Sequence, residues 1–133
     1  RVLHGRRRQC IRSSVGWGAR MTAVLVSRPI FLRQDTGWAP GLITIFMPEL
    51  EPDSKHGSWQ CHIKIEWPGF LCEKRHLGMD AYQALELALR LVPGLIMATD
   101  DFRNRNLALW SSGNILDSAN IRQFFDARIL GDV

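Results

Sequence analysis

The sequence predicts an α+β fold: an antiparallel sheet of four to five strands, a long helix packed on one face, and a second helix at the C-terminus. The first observation is the alternation from Trp59 to Trp67, with Trp59, Cys61, Ile63, Ile65 and Trp67 on one face and Gln60, His62, Lys64 and Glu66 on the other. A period of two describes a half-buried strand. The second is the change to a period of 3.6 beginning at Gly78-Met79-Asp80-Ala81-Tyr82-Gln83-Ala84-Leu85, where a helix must start. The third is bulk: 133 residues, 46% hydrophobic and 23% charged, provide one core.

Residues 1–20 read as a basic arm outside that core, either an inert tail or sequence upstream of a start at Met21, and residues 21–133 as the single domain. The arm holds six of the 17 basic residues and no carboxylate, so the rest has 11 basic against 13 acidic side chains and a net charge of −2. Within the arm, Arg6, Arg7, Arg8 and Arg12 are candidate contacts for a polyanion.

Residues 23–32, rich in β-branched and aromatic side chains, predict a strand, and Pro29 places it at an edge or a bulge. Gln34 to Gly41 predicts a turn region, Leu42 to Met47 a second strand, and Glu49 to Ser58 a polar loop. After the Trp59 strand, a hairpin leads to a strand near residues 71–78 with a charged centre suited to an edge. A three-residue loop, setting Leu71 opposite Trp67 and Leu77 opposite Cys61, is preferred to a two-residue turn that sets His76 against Cys61.

Asp80 is an N-cap with Gln83 in capping-box position, and apolar residues at 81, 84, 85, 88, 91, 92, 95 and 96 form one helical stripe. The phase holds through Pro93, which predicts a kinked helix ending near Ala98; a break at Pro93 is the alternative. A charged turn (100–106), a short strand (107–110) and a loop (111–114) follow. Asp117 or Ser118 caps a last helix with Ile121, Phe124, Phe125 and Ile129 on its stripe and Gly131 at C′.

Chemistry is far less legible. Cys61, His62, Cys72 and His76 alone resemble metal ligands, but Cys61 and His62 point to opposite faces of a strand and cannot converge on one ion. They read as a core cysteine with surface histidines. Cys72 and His76 share a strand side at a separation of about 13 Å, too far for a nucleophile and its base. Ser58 near His56 lacks a nucleophile turn, Asp80 is a cap, Asp100 and Asp101 are solvated acids, and no phosphate-binding glycine loop occurs. No catalytic residue, cofactor or metal is therefore assigned. Three cysteines, too few for a disulfide scaffold, point to reduced thiols in a cytoplasm, and no apolar run is long enough for a membrane span. Of the five tryptophans, Trp59, Trp67 and Trp110 read as core. Trp38, with His62, Lys64 and Glu66 on the polar strand face, forms the candidate interaction surface.

The Trp59-x-Cys61-x-Ile63-x-Ile65 strand, the Gly78-x-Asp80-Ala81-x-Gln83-Ala84-Leu85 helix start, and Leu107 or Leu109 with Trp110 resemble an uncharacterised family of small bacterial proteins, a domain of unknown function. Members of that family end soon afterwards in a Gly-Phe-Pro-like tail, which residues 113–133 replace here. The resemblance implies a compact α+β fold with no established activity or cofactor. The leading expectation is a small non-catalytic bacterial protein that binds another protein, of immunity or accessory type. The alternatives are nucleic-acid association through the arginine arm and an enzyme of unknown reaction.

Overall fold

A computed structural model describes residues 23–110 and 114–125 and, for residues 8 and 9, the backbone alone. Its strands are β1 (Arg8–Gln9), β2 (Val24–Gln34), β3 (Gly37–Phe46), β4 (Glu49–Leu50), β5 (Trp59–Trp67), β6 (Phe70–Gly78) and β7 (Leu107–Ala108). Its helices are α1 (Ala81–Met97), α2 (Asp100–Arg103) and α3 (Ile121–Phe125). The strands form one sheet in the order β1-β6-β5-β3-β2-β7, with β4 paired to β5 beside that path. β2, β3, β5 and β6 form an antiparallel meander in chain order, and the parallel β1–β6 pairing joins Arg8–Gln9 to Phe70–Leu71. The four long strands and β7 are those the sequence predicts. Two-residue β1 and β4 are additions too short for any hydrophobic period to reveal.

The expected turn from Gln34 to Gly41 contracts to Asp35 and Thr36, because Gln34 already pairs with Gly37. Gly37, at φ 131°, supplies the conformation this tight connection needs. Proline placement explains how strand pairing continues through Pro29 and Pro40. Arg33 donates its N–H away from β3, to Asn106 O at 2.7 Å, so Arg33 and Trp38 face each other as a non-hydrogen-bonded pair. By alternation the pairs Phe31–Pro40 and Pro29–Leu42 belong to the same class, and neither proline removes a rung from the β2–β3 ladder. Pro29 lies at the edge position expected: among the described residues, β7 pairs only with Phe31 and Leu32, and the first half of β2 has no neighbour on that side.

The β5–β6 hairpin corrects the preferred register. Trp67 pairs with Phe70 and Cys61 with His76, so the turn contains only Pro68 and Gly69. Gly69 has φ 86°, which suits a Pro-Gly turn with glycine at its third position. The shorter turn also stacks Trp67 on Phe70, with centroids 4.3 Å apart and planes at 21°, and brings Cys72 opposite Ile65 on the helix-covered face.

Asp80 caps α1 as expected: its Oδ1 accepts from Gln83 N–H at 2.8 Å, and Gln83 Oε1 accepts from Met79 N–H at 2.7 Å. The helix is continuous through Pro93. Ala84, Ala88, Val92 and Ile96 form its buried row, with Leu85, Leu91 and Leu95 packed alongside. They meet Ile43, Ile45, Ile63 and Ile65 of the sheet, all nearly inaccessible to solvent. The segment expected as a charged turn winds instead into α2, because Thr99 Oγ1 accepts from Phe102 N–H at 3.1 Å and caps it. Trp110, expected in the core, is 44% exposed. β7 ends at Ala108, so strand alternation does not carry its ring inward, and the indole meets Phe124 edge-on at 5.2 Å. The last helix begins after Asp117, whose Oδ1 accepts from the Ala119 and Asn120 N–H groups; Ile129 and Gly131 lie outside the described residues.

The start of α1 comes against β6 at Gly78, where a Cβ would meet the Ala84 backbone, 2.8 Å from its Cα. Gly78→Ala is therefore expected to lower unfolding stability by about 1–3 kcal/mol, read from denaturant midpoints. An unchanged midpoint would show that the contact can relax without cost.

Candidate functional site

The sequence-predicted surface residues separate. On β5, Lys64 and Glu66 are partly exposed and lie 3.6 Å apart as an ion pair, the kind of surface contact that contributes little to stability. His62 is corrected: it is 1% exposed, on β5 opposite Arg75 of β6. Gln60 is also buried, since β4 returns beside β5. Arg75 donates to Gln60 Oε1 at 2.6 Å and to Glu51 at 3.1 Å, while Gln60 Nε2 donates to Glu49 at 3.4 Å. The period-two pattern on β5 thus separates two faces, both buried near Cys61 and His62. Trp38 is half-buried in β3, not in a turn, with the Arg33 guanidinium 5.4 Å from its ring centroid. Arg6, Arg7 and Arg12 lie outside the described residues, and Arg8 enters only through the backbone of β1.

The cysteines and histidines gather no site. Among the described residues, no group of three or more His, Cys, Asp or Glu could hold a metal ion. Asp101 accepts from Trp67 Nε1 at 2.8 Å and Asp100 pairs with Arg103, so both acids have structural partners. Cys72 is disulfide-bonded, which corrects the expectation of three reduced thiols and removes the cysteine argument for a cytoplasmic location. Cys61 is a free thiol, fully buried, with its Sγ 3.4 Å from the Phe46 carbonyl.

Sequence reasoning missed a cleft of about 240 Å³ between the sheet, α1 and α3. Its floor is Val26, Arg28, Ile43 and Ile45, and its sides are Leu89 and Val92 from α1 and Phe124 and Phe125 from α3. Arg28 is the cation in this apolar lining. Its Nη1 donates to the Phe124 carbonyl at 2.5 Å, and its guanidinium lies 4.8 Å from the Phe125 ring centroid and 6.0 Å from that of Phe124. Burial lowers its pKa from the ordinary value by desolvation, although arginine remains charged. The signal was present in the sequence: Val26, Arg28, Ile30 and Leu32 alternate on the core-facing side of β2, which puts a guanidinium in an apolar row.

Burial also pushes the Cys61 thiol up from 9.0 to about 11. Because the folded value exceeds the unfolded one, its contribution to stability is complete below pH 9.0 and is lost as pH rises through about 11. The stability difference between wild type and Cys61→Ala should accordingly narrow across that window in parallel denaturant titrations. A constant difference would mean that the thiol titrates normally in the fold.

Comparison with curated proteins and with solved structures gives no match. Residues 26–117 match the model of a protein family described as Domain of unknown function (DUF6968), a stretch that runs from β2 through β7 and stops before α3. That match spans well over half of the 133 residues, and the chain belongs to the DUF6968 family.

Proposed function

We propose that the domain is a small non-catalytic binding module that docks on another protein, in the manner of an immunity or accessory factor. The observation that supports this reading is an apolar strip at the start of β2, whose outer edge has no strand partner among the described residues. Val24, Leu25 and Val26 are 54%, 42% and 50% exposed, and Met47, whose N–H donates to the Ala23 carbonyl at 2.8 Å, adds a fourth exposed apolar side chain. Contiguous exposed apolar groups favour association, and an open strand edge offers backbone hydrogen bonds to an incoming segment. Pro29 limits the usable edge to the residues before it, which restrains indiscriminate pairing. Lys64 and Glu66, two strands away on β5, provide polar groups for the rim of such a contact, whereas Trp38 pairs with Arg33 at the far end of β2 and lies outside it. No helix among the described residues is long and apolar enough to cross a membrane.

The reading predicts that wild-type protein captures a specific partner from native lysate of its source cells, and that Leu25→Lys loses it while keeping its circular dichroism. Recovery of no specific protein, or equal capture by Leu25→Lys, would contradict the assignment.

A further inference from the structure

The cleft around Arg28 carries chemistry that docking through the outer edge of β2 does not use. Its lining is apolar except for the guanidinium and a nearby serine, and Val26 and Leu89, 50% and 42% exposed, leave it open to solvent. A guanidinium has five N–H donors, and among the described residues the Arg28 side chain makes one hydrogen bond, to the Phe124 carbonyl. It has no carboxylate partner among them, and its approach to the Phe125 and Phe124 rings, 4.8 and 6.0 Å from their centroids, is a cation–π contact that requires no N–H donor. Half-buried cations of this kind gain most from an anion that brings its own apolar surface.

We propose that the cleft binds a small apolar monocarboxylate, with its tail against Ile43, Ile45 and Leu89 and its carboxylate on Arg28. The volume limits the length of the tail, because about 240 Å³ admits a short acid and not a long-chain one. The single cation sets the charge: a dianion such as a phosphate monoester would bring a second negative charge into an apolar lining with nothing to pair it. A neutral apolar molecule would leave the spare donors of Arg28 unsatisfied. Phe124 and Phe125 lie beyond the residues matched to the family, so this wall of the cleft is supplied by the chain's own C-terminal helix.

Octanoate is the probe, with 1-octanol as its neutral counterpart and octylammonium as the charge-reversed one. Titration into the full chain, followed by calorimetry and amide chemical shifts, should show saturable octanoate binding with a dissociation constant below about 1 mM. Shifts should centre on Val26, Arg28 and Ile45. Arg28→Gln should weaken octanoate by about tenfold or more and leave 1-octanol unchanged. Because that substitution also removes the bond to Phe124, Leu89→Trp provides an independent test: it fills the cleft without touching the guanidinium and should abolish binding. Absence of saturation, equal affinity for 1-octanol or octylammonium, or full octanoate binding by folded Leu89→Trp would each overturn the proposal. None of these readouts involves Leu25, so the outcome is separate from that of partner capture.

Discussion

The structure depends on how closely α1 lies on the inner face of β5. Cys61, Ile63 and Ile65 are completely buried on that face, and the row opposing them grades from Ala84 and Ala88 through Val92 to Ile96. Small residues at the start of the helix, together with Gly78 in the strand just before it, let the two backbones approach. Larger ones fill the space toward the other end. Burial of each large aliphatic side chain provides about 1.5–3 kcal/mol, against about 1–2 kcal/mol for ordering each residue's backbone. Neither the helix nor the β5–β6 hairpin would hold its shape without the other. Trp67 extends this union to the next element, stacking on Phe70 and donating to Asp101 of α2.

The consequences reach the candidate sites. α1 covers the centre of the sheet, while β2 lies toward an edge that β7 closes only at Phe31 and Leu32. Two features follow from that incomplete coverage. The start of β2, with no outer neighbour among the described residues, shows apolar side chains to solvent, and the gap between β2, α1 and α3 becomes the cleft in which Arg28 lies. Arg28 also donates to the Phe124 carbonyl of α3, so the same residue that gives the cleft its charge helps hold its aromatic wall.

Much of the fold was legible because its signals are local and periodic. The extent of β5, the Asp80 cap and the α1 stripe through Pro93 are read from neighbouring residues, and each matches the structure. The errors arise where the deciding contact is distant in sequence. The β5–β6 register depended on a stack between Trp67 and Phe70 and on which face would receive Cys72, information that the turn residues hold only in part. His62 alternates as a surface residue, yet it is buried together with Gln60 on the same face of β5, near where β4 returns. Trp110 reads as core because it sits on the strand predicted over 107–110, but β7 ends at Ala108 and does not turn it inward. The cleft was hidden for the same reason: Arg28 is marked by alternation, whereas Leu89 and Phe125 reach it only through the tertiary packing of α1 and α3.

Amide hydrogen exchange tests the central claim most directly. If the α1–β5 union holds the domain together, the amides of Cys61, Ile63, Ile65 and Ala88 should exchange only through global unfolding and share one opening free energy, well above that of Ser27 at the free edge of β2. Exchange of the β5 amides through local opening, at rates similar to those of the edge, would contradict it.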